Sequence, residues 1–308
     1  MLHASHDSPL FVIQGVFNND GNESTIYCGF KRNEKKQFKL NQKEYSRLSE
    51  HVGQFPVVMI SPTDTTLIYG GSEERRKLLD SIISQYDKIY LDDLINYNKV
   101  LSQRNALLKH FAQQHRFSKH DIEIWDVQLI DLGNKIYENR SRFITDFVPT
   151  FQKYYDIISD GNEQVAIEYD SQLNRGSMEE LLNKALEKDR LLQYSTVGIH
   201  KDDLLFTINN YPVKKFASQG QQKSFLTAIK LAQFEFIKTI KEVKPILLLD
   251  DIFDKLDDSR VNRLIELVSQ HNFGQIFITD THPERAANFF KRINVEAKVF
   301  TVKNGIVN

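Results

Sequence analysis

A chain of 308 residues with 41% hydrophobic and 26% charged residues has the composition of one large or two modest globular domains. Forty basic against 41 acidic residues leave a net charge of −1, which excludes a global field for nucleic acid, so any such contact needs local patches. The lone Cys28 excludes an intrachain disulfide framework and suits a reducing cytoplasm, and the sequence holds neither a bilayer-length apolar run nor a signal peptide.

Three alternating segments open the chain: LFVIQGVF (Leu10 to Phe17), STIYCGF (Ser24 to Phe30) and KQFKLNQKEY (Lys36 to Tyr45). Turn chemistry in NNDGNE and KRNEK separates them, so they predict an antiparallel meander of three strands. Between Lys31 and Arg47 there are seven Lys/Arg against two Glu. That run fits an edge strand defended by lysines, and it equally fits a ribbon that contacts phosphates through Lys31, Arg32, Lys35, Lys36 and Lys39. A buried strand follows at Val57 to Ile60 and breaks at Pro62.

From Ser72 the period changes to that of a helix, with acids in the first turn. Apolar residues recur at Leu79, Ile83, Tyr86, Tyr90, Leu94, Tyr97, Leu101 and Leu108, then at Trp125, Leu129, Leu132, Ile136, Phe143, Phe147, Phe151 and Tyr154. The spacing predicts two amphipathic helices of about 40 residues, ~60 Å each, the second kinked at Pro149. A basic elbow, His110 to His120, joins them into an antiparallel arm. Its Arg116 and Lys119 are either a solvated tip or a further phosphate contact. Beyond the arm, Gln164 to Leu173 reads as a strand and Met178 to Tyr194 as a helix. Leu204 to Ile208 and Pro212 to Phe216 read as a hairpin about Asn209-Asn210.

The stretch from Phe216 to Asp257 organises the rest. FASQGQQKS (Phe216 to Ser224) places Ser218, Gln219 and Gly220 before an apolar-faced helix, where backbone N–H groups and a positive dipole end suit an anion. ILLLDD (Ile246 to Asp251) reads as a buried parallel strand delivering two carboxylates to its C-terminal edge, where open α/β sheets place ligands. At such an edge Asp250 suits the water shell of a nucleotide-bound Mg²⁺ and Asp251 the poising of an attacking water. DKLD (Asp254 to Asp257) follows. A helix from Ser259 to Ser269 and a strand from Gln275 to Thr279 lead to ITDTHPER, and the last strand pair is Ala297 to Val302 with Ile306-Val307.

SQGQQ resembles the signature loop of ABC-type ATPases, ILLLDD their Walker B and DKLD their D-loop. Within that superfamily the wording is similar to that of the RecF family. Further matches are Ser61, Pro62, Asp64, Gly70, Arg75 and Arg76, and in TVGIHKDD Thr196, Gly198, His200, Lys201, Asp202 and Asp203. The resemblance implies an α/β fold, an ABC-type P-loop ATPase head of mixed plus antiparallel sheet, with a long-helix arm inserted. The head spans 1–70 and 195–308, and the arm 71–194. It implies ATP and Mg²⁺ as cofactors, with Asp250 on the metal, and Asp251 and His282 as catalytic residues, although His282 before Pro283 equally caps a helix. Ser218, Gln219, Gly220, Gln221, Asp254, Asp257 and Thr281 fall to the nucleotide and the seam between heads. The implied activity is weak ATP hydrolysis coupled to pairing of two heads. The implied biology is cytoplasmic replication, SOS response and recombinational repair, with single-stranded and gapped duplex DNA, recombination mediator proteins and no membrane. Asp64 stands either near the γ-phosphate or as a turn cap.

Two features depart from the pattern. The D-loop carries an extra charge at Asp254, and no G-x-x-x-x-G-K-[ST] occurs in the 308 residues. RecF-like proteins hold that loop near the N-terminus, on the first strand of the head, so the expectation is a chain shortened at its front with impaired nucleotide binding. A non-enzymatic DNA- or partner-binding protein stays open as an alternative, and so does a transporter ATPase subunit.

Overall fold

The computed structural model describes residues 8–19, 21–161, 163–251, 263, 266–267, 273–281, 298–303 and 306–307. The chain divides into two compact units, 1–55 and 56–308.

In the first unit β1 (Leu10–Asn19), β2 (Asn22–Lys31), β3 (Gln37–Leu40) and β4 (Lys43–Glu44) form one antiparallel sheet in that order. Alternation turns Ile26 and Phe30 into its core, with Phe11 stacked on Phe30 at 5.1 Å. The segment predicted as one strand from Lys36 to Tyr45 is instead the β3–β4 hairpin. Asn41 and Gln42 both take left-handed φ, 48° and 69°, which gives the twist that a two-residue hairpin requires. The Asn41 side chain fixes this turn by accepting from Thr25 N at 2.8 Å.

The second unit holds a parallel sheet of β5 (Val57–Ile60), β9 (Ile246–Asp250) and β10 (Ile276–Thr279), with β9 central. Val58, Ile60, Leu247 and Leu249 are buried, as the unbroken apolar runs dictate. Their core is shared with α7 (Gln219–Lys241), whose Phe225, Ile229, Ala232 and Phe234 are wholly or almost wholly inaccessible. β6 (Val165–Asp170), β7 (Asp203–Ile208) and β8 (Tyr211–Pro212) form an antiparallel sheet, and β11 (Val302–Lys303) pairs with β12 (Ile306–Val307). Val213 to Phe216, predicted as strand, is a short helix, α6, because the chain turns at once toward α7. Of the expected helix over 259–269 only residues 263, 266 and 267 are described, and all three are helical.

α1 (Thr66–Tyr69) precedes the arm helices α2 (Ser72–Tyr86), α3 (Lys88–Gln114) and α4 (Lys119–Ser159), and α5 (Met178–Leu192) follows β6. The first predicted long helix is therefore two. Asp87 breaks it with extended φ/ψ of −115° and 104°, and its carboxylate caps α3 by accepting from Tyr90 N at 2.9 Å. α4 runs 41 residues and continues unbroken through Pro149, where a kink was expected. The aromatic stripe of α4 is core, with Phe151 against Phe225 at 4.8 Å and Phe143 against Phe236 at 5.0 Å.

Two arginines are buried in this core. Arg140 of α4 is 1% exposed and is bonded to both carboxylate oxygens of Asp80, to Tyr90 Oη, to Ile199 O at 2.8 Å and to Asp202 Oδ2 at 2.9 Å. Arg104 of α3 is fully inaccessible and binds Asp126, Asp189 Oδ2 at 2.7 Å and Ser195 Oγ at 2.8 Å. Both ion clusters tie arm helices to residues 195–202, the segment that leads into β7. Gly198 in that segment needs its φ of +128°, and a Cβ there would sit 2.4 Å from Tyr97 Oη.

Candidate nucleotide and head-contact site

Asp250 ends the central strand of the parallel sheet, in register with Thr279 of β10, and its Oδ1 accepts from the Thr279 hydroxyl. Asp251 is the first residue beyond the strand. It takes a left-handed φ of 47°, uncommon for a non-glycine residue and tolerated best by Asn and Asp. Its N–H donates to Thr279 O at 3.2 Å, and its carbonyl faces Lys223 Nζ at 3.5 Å. The two carboxylates therefore leave the same strand edge with different backbone conformations, and neither is fully buried. Lys223 belongs to the first turns of α7, so one ammonium links the start of that helix to the acid pair.

Ser218 is the N-cap of α7 in a complete capping box. Its Oγ accepts from Gln221 N at 3.2 Å, and its own N–H donates to Gln221 Oε1 at 2.7 Å. The remaining amide hydrogens of Gln221 reach Glu163 Oε1 at 2.9 Å, and Tyr155 Oη donates to the other oxygen of the same carboxylate. Gln222 is buried, donates to Ala217 O at 3.1 Å and accepts from Tyr69 Oη at 2.6 Å. Ser218 and Gln219 stay exposed while their neighbours fix the loop. A Cβ on Gly220 would meet only Ser218 Oγ, at 4.0 Å, so packing within the chain does not demand glycine there.

Asp64 has the capping role. Its Oδ2 accepts from Ser61 N at 2.8 Å and its Oδ1 pairs with Lys230 of α7 at 2.8 Å. His200 is structural: it bonds Tyr97 Oη at 2.9 Å and Ser195 O at 3.1 Å. Burial pushes its pKa down to about 4, so the imidazole is neutral at physiological pH. Arg75 pairs with both carboxylate oxygens of Asp203, and Arg76 donates to Asp202 O at 2.6 Å. The arginine pair and TVGIHKDD, far apart in sequence, thus meet each other. Thr281 lies exposed two residues beyond β10. Asp254, Asp257 and His282 lie outside the described residues.

Glu163, Tyr69, Gln222 and Lys223 were not singled out from the sequence, although Gln222 and Lys223 lie inside the signature segment. A signal for the last two was the polar run GQQKS at the head of an apolar helix. Glu163 and Tyr69 offer none, since only the fold brings them to the loop.

The oxygen donors fit a magnesium ion. Asp250 supplies a hard carboxylate, and among the described residues no group of three or more His, Cys, Asp or Glu could hold a metal ion by itself. A single carboxylate is the protein share that Mg²⁺ takes when phosphates and waters complete its shell.

Of the proposed phosphate contacts, Lys31 pairs with exposed Glu34, Lys36 sits 6.0 Å over Phe30 and Lys39 5.4 Å over Tyr27. Lys31, Arg32, Lys35 and Lys36 cluster in and before the β2–β3 turn, and all four are exposed. Arg116 and Lys119 stand at the arm's elbow, both exposed, with Lys119 3.6 Å from Glu123.

No family model matches the chain. It is 47% identical over 304 residues to the DNA replication and repair protein RecF of Bacteroides thetaiotaomicron, covering 98% of this chain and 82% of that one. The RecF of Flavobacterium johnsoniae is 48% identical over 297 residues, covering 96% and 83%. Among solved structures, the recombination mediator protein RecF-ATP in the RecFOR pathway superposes with a TM-score of 0.85 at 30% identity, over 98% of this chain and 80% of that one. A Smc head domain with a coiled coil and joint, from Pyrococcus yayanosii, shares the fold at 12% identity and a TM-score of 0.51, over 97% and 82%.

Proposed function

Because this chain belongs to the RecF family, we propose that it is an ABC-type ATPase head of DNA replication and recombinational repair, whose arm is the insertion between residues 71 and 194. Two such heads pair across ATP, and the pair binds DNA at single-strand gaps and helps to load recombinase with mediator proteins. The family's DNA replication and repair proteins set aside the transporter reading.

The observation that carries this is the exposed start of α7. Ser218 is held by its capping box and, with Gln219, stands exposed, and among the described residues a Cβ on Gly220 would meet only Ser218 Oγ. A helix start with a small residue is a surface for close backbone approach to an anion. Here the anion is the γ-phosphate of a nucleotide held by the partner head, which Ser218, Gln219, Gly220 and Gln221 approach from the other side. On the chain's own nucleotide, Asp250 would hold the Mg²⁺ water shell and Asp251 orient the attacking water. Thr281 and His282 would face the γ-phosphate, while Asp254 and Asp257 face the seam. When bound, the metal supplies neutralisation of the charge on the phosphates. The backbone of Asp251 is held by Thr279 O and faces Lys223, which sets where its side chain leaves the strand edge.

Within these 308 residues the phosphate cradle is missing. ATP is therefore expected to leave the chain monomeric in sedimentation experiments, with or without Mg²⁺. In a protein that has the phosphate-loop segment of a RecF relative joined ahead of it, Mg-ATP is expected to drive dimers. Ser218→Arg should abolish those dimers and leave ATP binding by the monomer nearly unchanged. Tight ATP-dependent dimers from the 308-residue chain itself would overturn the assignment of the cradle.

The DNA contact is tested separately. Replacing Lys35, Lys36 and Lys39 with glutamate is expected to weaken binding to all sequences alike and to flatten its salt dependence, because counterion release scales with the phosphates neutralised. Unaltered affinity in this triple variant would remove the ribbon from the interface.

A further inference from the structure

At the far end of the arm a concavity of about 300 Å³ opens between the last turn of α3, the elbow and the last turn of α5. Leu108, Phe111, Ala112 and Leu191 give it apolar walls, and Arg116 and Arg190 stand at its rim. It lies outside the site described above and includes no residue of the ATPase motifs. Leu191 is 82% exposed at its edge, next to the apolar side chains of the lining. We propose that this hollow docks an acidic segment of a partner protein, anchored by one apolar side chain.

Three observations favour that occupant. Both phenylalanine rings of the lining are already engaged: Phe117 carries Arg190 on its face at 4.2 Å and meets Phe111 edge-on at 5.3 Å, which takes up surface that a stacked base would use. The surroundings are cationic in a chain of net charge −1. Arg116 has no acidic partner among the described residues, and Lys109 and Lys188 stand exposed beside the lining residues in sequence, while Glu187 is already engaged by Arg190 at 2.7 Å. The hollow also meets the C-terminal ends of two helices, where bare carbonyls would repel an anion. At α3 two of them are covered, since His115 N donates to Ala112 O at 3.4 Å and Arg116 N to Phe111 O at 3.2 Å. An apolar anchor with a ring of complementary charge is the pattern of a specific, moderate-affinity peptide contact.

The test uses the full chain and a fluorescein-labelled short peptide of aspartates and serines around one central phenylalanine, followed by anisotropy. Saturable binding is expected, weakened roughly tenfold or more by Leu191→Asp and by Arg116→Glu, both at exposed positions. Unaltered urea midpoints for the two variants confirm that the fold is intact. A peptide with serine in place of the phenylalanine, or asparagines in place of the aspartates, is expected to bind as poorly as the variants do. Absence of saturable binding overturns the proposal, and so does binding that Leu191→Asp leaves unchanged. If oligothymidine displaces the peptide, and the serine-for-phenylalanine peptide binds as well as the parent, the cations serve nucleic acid and the peptide site is rejected.

Discussion

Arg140→Leu is expected to destabilise the fold by about 3–5 kcal/mol, read as a lower urea midpoint with an unchanged slope. The guanidinium is 1% exposed and neutralises Asp80 and Asp202, and Asp202 is itself inaccessible. Burial already raises the Asp202 carboxyl above the usual range, with Arg140 pulling the other way, so removing the arginine strands a carboxylate in the core. Adding Asp202→Asn to Arg140→Leu should recover part of the loss, since the stranded charge goes with it. An unaltered midpoint in Arg140→Leu would show that the cluster contributes nothing net.

Asp251→Asn is expected to slow ATP hydrolysis on the order of 10²–10⁴-fold, the range for a group that orients and deprotonates water. The measurement needs a protein that holds nucleotide, made with a relative's phosphate-loop segment as above. ATP binding and head pairing are expected to persist, because asparagine keeps the size of the side chain and the bond from its N–H to Thr279 O. Asp250→Asn is expected instead to weaken the dependence of ATP binding on Mg²⁺. Wild-type hydrolysis rates in both variants would refute the assignment of the acid pair.

Much of the local geometry at the candidate site was legible because it is set by neighbours along the chain. A strand ending in two acids, a serine before an apolar helix and a proline-ended strand each announce themselves within a few residues. The fold class followed from the resemblance of those segments to ABC-type ATPases, and the switch of period at Ser72 marked the helical insertion. The buried arginines left a fainter trace. The apolar stripes skip from Leu101 to Leu108 and from Ile136 to Phe143, and Arg104 and Arg140 fill those two gaps at helical spacing. A reading that counts only apolar residues passes over them, since an arginine on a helix is ordinarily solvated. The Asp87 break was hidden for another reason: the stripe continues across it from Tyr86 to Tyr90, so periodicity alone joins two helices into one. The β3–β4 turn uses Asn41 and Gln42 where a glycine would have marked it. Glu163 reaches Gln221 only through the packing of α4 against α7, which no spacing encodes.

α4 is a beam about 60 Å long, and its one fully buried cation sits near the midpoint. On one side of Arg140 the beam carries Phe143, Phe147, Phe151 and Tyr155 against the helix that begins at Ser218. On the other it runs roughly 30 Å to the elbow. One continuous helix therefore joins the elbow to the helix that carries the signature loop, and its single fully buried guanidinium is bonded to three other parts of the fold, at Asp80, Tyr90 and residues 199–202.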